Sequence, residues 1–249
     1  MIRILNTLRL LAVAAVSTVY HAVIIVGSTR LKTRNAERIC FTAPRSWCRS
    51  LLWAGGVEVE FEGLEHFQPA RPAVIVSNHE SWYDVFALAG LLPVDYRFVG
   101  KKELNKIPFF GAAWMACGHI AIDRSNRKAA IESLRTAGDK IRREGAVVVM
   151  FPEGTRSSDG ELLPFKKGAF VLALESGVPV IPIGISGSRS LMPKGSFLVR
   201  PGKIQVRIGA PIEVDGLTVA DRDQLMDRAR ERVRQLRATP ADPSVGDGQ

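Results

Sequence analysis

A chain of 249 residues, 46% of them hydrophobic and 24% charged, is long enough to bury a core of its own, so folding needs neither disulfides nor a structural metal. The net charge of +9 restricts the expected partners to nucleic acid or an anionic membrane surface. The three cysteines, Cys40, Cys48 and Cys117, are odd in number and lack metal-ligand spacing. They argue against a disulfide framework and indicate packing residues in a reducing compartment.

The first predicted element is an apolar segment near the N-terminus. Residues 10–26 carry no formal charge and are mostly Leu, Ala, Val and Ile, with basic residues on both sides. Because a spanning helix needs about 20 apolar residues, this run predicts a membrane-attachment helix that crosses the bilayer or lies in one leaflet. A cleaved signal peptide and a buried core helix are the alternatives. The basic flanks do not decide the orientation, and they favour two ends on the same side.

A second mixed apolar and basic stretch, residues 36–54, completes an N-terminal helical segment that we assign to residues 1–55. Its tryptophans and leucines suit a helix at the membrane interface and suit equally a helix packed on the main domain.

From residue 57 onward, short apolar runs alternate with helical patterns. Seven runs have the length and composition of strands: 57–61, 73–76, 96–99, 119–122, 146–151, 178–185 and 203–208. Runs that are apolar throughout suit strands buried on both faces of a mainly parallel sheet. The pattern predicts an α/β domain over residues 56–237, with helices flanking that sheet and a last helix over 221–237. The polar tail, 238–249, is expected to be disordered.

Two prolines disturb one of these runs. Pro179 and Pro182 lie within 178–185, and a proline lacks the N–H donor that a strand ladder uses. We therefore expect this strand to be irregular or close to an edge of the sheet.

Polar, reactive residues follow four of the predicted strands. They occupy the segments 77–84, 100–104, 151–156 and 186–189. In parallel α/β sheets, ligands bind outside the carboxyl ends of the strands, so these four segments should meet at one edge. The sequence thus predicts one site at that edge.

His79 and Asp84 are the candidate acid–base pair. Five residues apart, they would point in different directions on one helix, so they can meet only if His79 lies on the loop before the helix. A carboxylate that binds one ring nitrogen fixes the tautomer and leaves the other nitrogen free to accept a proton. The alternative is a surface histidine beside an acid that merely favours the helix dipole.

Positive charge gathers in two of the other segments. Arg156 offers a planar fork for phosphate, and Lys101 and Lys102 add cations on the same edge. Gly154 lets the backbone approach a ligand closely. Together they predict a site for a phosphate-bearing substrate, although paired lysines and a Gly-Thr-Arg turn are each common on surfaces.

At these positions the sequence resembles the glycerolipid acyltransferase family, whose best-known members are the 1-acylglycerol-3-phosphate acyltransferases. The first motif is Asn-His-x4-Asp at 78–84, and the second surrounds Lys-Lys-Glu-Leu at 101–104 and Ile-Pro-Phe-Phe-Gly at 107–111. The third is Phe-Pro-Glu-Gly-Thr-Arg at 151–156, and the fourth is Val-Pro-Val-Ile-Pro-Ile at 178–183. All four occur in order within about 110 residues, so the match is specific, while the two ends of the chain are less diagnostic.

The resemblance implies a role for each motif residue. His79 would deprotonate the acceptor hydroxyl, with Asp84 orienting its ring. Arg156, together with Lys101 or Lys102, would hold the acceptor phosphate. Glu153, Gly154 and Thr155 would help to place the acceptor, and the amide of Gly154 or of a neighbour would stabilise the oxyanion. Transfer would be direct, because a thioester is already activated; a covalent route through Ser81, two residues after His79, is the alternative.

The implied reaction moves a fatty acyl group from acyl-coenzyme A or acyl carrier protein to the sn-2 hydroxyl of 1-acylglycerol 3-phosphate, giving phosphatidic acid. Glycerol 3-phosphate and a lyso-aminolipid such as lyso-ornithine lipid are the alternative acceptors. A basic protein that binds nucleic acid or membranes is the non-enzyme alternative, although few aromatic residues accompany the basic ones. We expect no cofactor, no metal and no nucleic-acid partner, and a location at the cytoplasmic face of the inner membrane.

Overall fold

The computed structural model describes residues 2–68 and 71–238. Within them lie seven strands and eight α-helices. The strands are β1 (Val57–Glu62), β2 (Val74–Ser77), β3 (Tyr96–Lys101), β4 (Ile120–Ile122), β5 (Val147–Met150), β6 (Val180–Ser186) and β7 (Gly202–Ile208). The helices are α1 (Ile2–Arg30), α2 (Ala36–Gly55), α3 (Trp82–Leu91), α4 (Phe110–Ala116), α5 (Arg127–Glu144), α6 (Gly168–Ser176), α7 (Ser188–Leu191) and α8 (Arg222–Ala238). Apart from Ala238 at the end of α8, the tail predicted to be disordered lies outside the described residues.

The strands form one seven-stranded sheet in the order β1-β7-β6-β2-β5-β3-β4. Every neighbouring pair is parallel except β6 and β7. The predicted mainly parallel α/β fold is therefore confirmed, and each strand begins and ends within two residues of its predicted run.

Both faces of the sheet are covered by helices. On β2, Ile75 joins the core beneath α1, α2 and α3, whereas Val74 and Val76 join the core beneath α5, α6 and α8. Because successive side chains of a strand point to opposite faces, a strand covered on both sides must be apolar throughout. This is the physical reason why β2 and β5 read as continuous apolar runs.

The expectation for the proline-containing strand is wrong. β6 is the third strand of the sheet, well inside it, and Pro182 pairs in regular register with Val76 of β2. The Pro182 carbonyl accepts from the N–H of Gly209, just beyond the end of β7. The missing N–H therefore lies on the side of Gly209, beyond the end of β7, where the neighbouring chain pairs again only through the Val180–Ile212 bridge.

The N-terminal helices pack on the sheet through α3. The indole N–H of Trp47 in α2 donates to Thr18 of α1 at 2.9 Å. Where α2 ends, a Cβ added to Gly55 would stand 1.9 Å from the hydroxyl of Tyr83 in α3, so only glycine allows this approach. Residues 36–54 therefore belong to a helix that packs on the domain. Of its two tryptophans, Trp53 is mostly exposed and Trp47 is partly buried, so a contact of this helix with the membrane interface stays a prediction.

One helix in the described part of the chain, over Arg3–Arg30, is long and apolar enough to cross a membrane. Many of the apolar side chains of α1 are exposed on the surface of the protein. The exposed large apolar side chains are Ile4, Leu5, Leu8, Leu11, Val16, Val19, Tyr20 and Val23. A helix that served only as a core element would be mostly buried, so α1 carries apolar surface that the domain does not cover.

Candidate active site

The local fold brings His79 and Asp84 together. Strand β2 ends at Ser77, His79 lies on the following loop, and Ser81 caps α3. Asp84, at the third position of the helix, closes a capping box by accepting the backbone N–H of Ser81 at 2.8 Å and that of Glu80 at 2.6 Å. The same carboxylate oxygen lies 2.9 Å from Nδ1 of His79. One acid thus caps the helix and orients the imidazole, which accounts for the five-residue spacing.

The protonation pattern of this pair follows from its partners. The Asp84 side chain is fully buried and its ionised carboxylate can only accept, so the ring nitrogen that faces it carries the proton. Nε2 of His79 is then unprotonated and able to take a proton from a substrate. The ring stacks on Phe151, with centroids 4.1 Å apart, which fixes its plane.

Glu153 holds the third motif against this loop. One of its oxygens accepts the backbone N–H of His79 at 2.7 Å, and the other accepts that of Leu163 at 3.1 Å. In return, Ser157 donates its backbone N–H to the His79 carbonyl at 2.8 Å. Backbone N–H groups thus occupy both oxygens of Glu153. The role that the resemblance implies for Glu153, placing the acceptor, would therefore be exerted by positioning the loop that carries His79.

Burial raises the pKa of Glu153 from its ordinary 4.5 to about 7. Since the folded state favours the protonated acid, its stabilising contribution is complete below about pH 4.5 and is lost as the pH rises through 7. We expect the free energy of unfolding of the wild type, minus that of Glu153→Gln, to fall by up to about 3 kcal/mol between pH 4.5 and 8. Urea titration in detergent at several pH values measures this difference; a flat difference would contradict it.

Two further contacts tie the first motif to distant parts of the chain. The Asn78 side chain exchanges two hydrogen bonds of 2.8 Å with the backbone of Ile185 in β6. The buried Glu80 forms an ion pair of 2.9 Å with Arg237 at the end of α8. Burial raises the pKa of Glu80, and the Arg237 cation opposes that rise. Strand β6 and the last helix therefore hold the loop in place.

A cavity of about 500 Å³ opens beside His79 and runs into the domain between α1, α2, α3 and α4. Its walls are mostly apolar, and they include Ala22 of α1, Cys48 of α2, Phe86 of α3 and Trp114 of α4. Of the eight predicted site residues, four line it: His79, Lys101, Thr155 and Arg156. The other four, Asp84, Lys102, Glu153 and Gly154, lie behind or beside this wall.

Cations surround the mouth of the cavity. Arg156 stacks over the ring of Trp82 at 5.1 Å, and no carboxylate of the described residues pairs with it. Lys101 lies near Glu103 at 3.5 Å, whereas Lys102 is bound to Asp123 at 2.5 Å. Of the two predicted lysines, Lys101 is therefore the one that faces the cavity.

Arg124 is a cation that our sequence analysis missed. It lines the cavity, and its guanidinium donates to the carbonyl of Gly154. The N–H of Gly154 donates to Phe151 at 3.0 Å, which leaves the neighbouring amides as candidates for the oxyanion donor. A signal for Arg124 was present, because it follows β4 directly at the same edge of the sheet as the other segments.

Within the residues that the structure covers, no three His, Cys, Asp or Glu side chains are grouped closely enough to hold a metal ion. The expectation that the protein uses no metal and no cofactor stays a prediction.

This fold, with a histidine–aspartate pair at the mouth of an apolar cavity, is that of the acyltransferase family, whose model matches residues 58–186. The chain belongs to that family, as the resemblance predicted. It is 42% identical over 169 residues to the 1-acyl-sn-glycerol-3-phosphate acyltransferase of Limnanthes alba, covering 68% of this chain and 59% of the relative. The human 1-acyl-sn-glycerol-3-phosphate acyltransferase alpha is 34% identical over 214 residues, covering 85% and 74%.

A solved structure agrees over almost the whole chain. The crystal structure of the 1-acyl-sn-glycerophosphate (LPA) acyltransferase from Thermotoga maritima superposes with a TM-score of 0.81 at 28% identity, covering 96% of this chain and 98% of the other. The match to the Limnanthes relative spans about three fifths of that protein's length.

Proposed function

We propose that the protein transfers a fatty acyl group from acyl-coenzyme A or acyl carrier protein to the sn-2 hydroxyl of 1-acylglycerol 3-phosphate, giving phosphatidic acid. One observation carries this: His79, oriented by Asp84 at 2.9 Å, lines an apolar cavity that Arg124 and Arg156 also line. The cavity suits an acyl chain, the arginines suit a phosphate, and the imidazole lines the same cavity. Relatives named for this activity support the assignment.

The proposed mechanism is direct transfer. Nε2 of His79 takes the proton as the hydroxyl oxygen attacks the thioester carbonyl, and Asp84 stabilises the imidazolium that forms. Cationic and amide donors at the cavity mouth stabilise the tetrahedral oxyanion. The intermediate then collapses, the carbon–sulfur bond breaks, and the imidazolium returns its proton to the departing thiolate. His79 is thereby regenerated without an external base.

A covalent route through Ser81 is disfavoured by the contacts of its hydroxyl. Ser81 is fully buried, donates its hydroxyl to the Met192 carbonyl at 2.8 Å and accepts the N–H of Tyr83 as a helix cap. A hydroxyl that is engaged on both sides and shielded from the cavity is no nucleophile. The acceptor hydroxyl itself is therefore the group that His79 activates.

The acceptor phosphate is assigned to Arg156 and Arg124. We expect Arg156→Ala to raise the KM for 1-acylglycerol 3-phosphate about tenfold or more, since a hydrogen bond to a charged group is worth about 1.5–3 kcal/mol. The KM for the acyl donor should change little. Steady-state kinetics with each substrate varied in turn measures the two constants.

The matched control for that prediction is Arg232→Ala, which removes an arginine from the exposed face of α8. It should change neither constant. If Arg156→Ala raises both KM values equally, its guanidinium acts elsewhere than on the phosphate.

We further propose that α1 attaches the protein to the membrane, at the cytoplasmic face of the inner membrane, where the thioester donors are available and cysteines stay reduced. The uncovered apolar surface of α1 supports the attachment. Because the cavity is walled partly by α1, an acyl chain would reach it from the lipid side.

Membrane attachment has its own test. Val16 and Val23 on α1 are 73% and 60% exposed, so Val16→Asp with Val23→Asp should leave the fold intact. Each charge costs about 3 kcal/mol at the centre of a membrane helix, and the bound fraction in vesicle flotation should fall at least tenfold. Ile131→Asp, on exposed surface of α5 across the sheet, is the control and should float like the wild type. Unchanged flotation of the double variant would contradict attachment through α1.

The experiment that tests the proposed function offers the purified protein in detergent a panel of acceptors with acyl-coenzyme A, and follows the release of free thiol. 1-Acylglycerol 3-phosphate should be acylated fastest. A higher rate with glycerol 3-phosphate or lyso-ornithine lipid would reassign the acceptor, and the lack of thiol release with every acceptor would refute the activity. Repeating the panel with acyl carrier protein identifies the donor.

A further inference from the structure

The inner part of the cavity contains a histidine that the proposed reaction does not use. His119 precedes β4, and its ring packs against Trp114 with centroids 4.3 Å apart and against Phe98 at 6.1 Å. It lines the same cavity as His79. Among aromatic neighbours, a polar ring in a lipid cavity needs a reason.

Hydrogen bonding fixes the tautomer of this ring. The backbone N–H of Phe98 donates to Nδ1 of His119 at 3.1 Å. The ring accepts this N–H just before the point where β3 begins to pair with β4, at Val99. A ring nitrogen that accepts carries no proton, so the proton of the neutral ring is on Nε2. Nε2 is therefore a donor.

The ring is also held neutral. Burial first, and then the cations Arg97 and Lys140, lower the pKa of His119 to about 3. At physiological pH it neither accepts a proton from a substrate nor binds a phosphate as a cation. Its chemistry is restricted to that of one neutral N–H donor.

Nε2 makes no hydrogen bond with the described residues, and because it is not one of the fully buried polar atoms without a partner, it is reached from the cavity. The neighbouring indole N–H of Trp114 is itself buried without a partner, and the thiol of Cys117 faces that of Cys40 at 2.7 Å. Plain methylene groups packed here would leave a buried donor unsatisfied, which weakens binding about tenfold relative to a chain that supplies an acceptor.

We propose that His119 forms a subsite for an oxygen atom carried on the acyl chain, so that the protein prefers thioesters of hydroxy- or oxo-fatty acids. The inference rests on the proposed acyl transfer and names its donor more closely. The hydroxyl or keto oxygen accepts the hydrogen bond from Nε2, while the rest of the chain stays in apolar surroundings.

The position of the oxygen follows from the ring contacts. His79 stacks on Phe151 at 4.1 Å, Phe151 on Phe98 at 6.4 Å, and Phe98 contacts His119 at 6.1 Å. Two aromatic residues thus separate the reacting imidazole from the donor. The oxygen belongs near the middle of the chain, well away from the thioester.

The test is a competition between thioesters of equal length. Wild-type protein receives octadecanoyl-coenzyme A together with its 2-, 8-, 10- or 12-hydroxy derivative, and the products are counted by mass spectrometry. We expect one mid-chain isomer to be preferred about tenfold in kcat/KM, and the 2-hydroxy derivative to gain nothing. A ratio at or below one for every isomer would overturn the subsite.

A variant separates the donor from the shape of the cavity. His119→Phe keeps an aromatic ring and removes the Nε2 donor, together with the Nδ1 acceptor of the Phe98 N–H. The measured quantity is therefore the ratio of hydroxy-chain to plain-chain transfer, which should fall to about one whatever the absolute rate. Preference that survives in His119→Phe would overturn the assignment to this residue. If the variant does not fold, the wild-type series alone decides. Transfer of octadecanoyl without any hydroxy preference refutes the subsite only, whereas no transfer from any thioester refutes the acyltransferase reaction as well.

Discussion

His79→Ala is expected to lower kcat by about 10²–10⁴-fold, the usual contribution of a positioned general base, while the protein stays folded. Stability should be kept because Asp84 still closes the cap of α3 through the N–H groups of Glu80 and Ser81. The measurement is thiol release at saturating substrate, with thermal unfolding measured in parallel.

The matched control is His66→Ala, which removes another partly exposed histidine from a short helical turn distant in sequence from the cavity lining. It should leave kcat unchanged. If His79→Ala retains more than about a tenth of the wild-type turnover, His79 is not the general base.

The second large effect is expected for Asp84→Asn. The amide oxygen can take over the three hydrogen bonds that one carboxylate oxygen now accepts, from His79, Glu80 and Ser81. The charge that stabilises the imidazolium is lost, however, and kcat should fall about 10²–10⁴-fold with little change in the KM of either substrate.

Asp84→Ala distinguishes the two duties of this residue. It should lose the same activity and in addition about 0.5–2 kcal/mol of stability, because the helix cap is removed. Should Asp84→Asn keep nearly full turnover with an intact fold, the carboxylate serves the cap alone and does not assist His79.

The architecture could be predicted from sequence because burial on both faces leaves a local signal. Strands such as β2 and β5 are short and wholly apolar, and the turns between elements are polar. The same local logic located the loop of His79, since the end of a strand and an acid at the start of the next helix are neighbours in the chain.

What could not be predicted depends on contacts between distant residues. Pro182 is harmless inside the sheet only because β7 ends opposite it, and no property of β6 indicates where β7 stops. The support that Arg237 gives to Glu80 joins residues more than 150 positions apart.

The site itself divides in the same way. Arg156 was found because it belongs to a compact motif, whereas Arg124 follows the shortest strand and was overlooked. The cavity that both arginines line could not be predicted, because its walls come from four different helices. Two of these helices are the ones that the sequence predicted to be a membrane attachment.

The fit of Gly55 against Tyr83 has an evolutionary consequence. Tyr83 belongs to the helix that Asp84 caps, so α2 packs in close contact with the helix that holds one member of the proposed catalytic pair. A helix that served only as a membrane anchor could change to any other apolar sequence during evolution. This one cannot, because Ala22 and Cys48 also line the cavity that we propose for the acyl chain. Substitutions within α1 and α2 are therefore a route by which related proteins can come to favour different fatty acids.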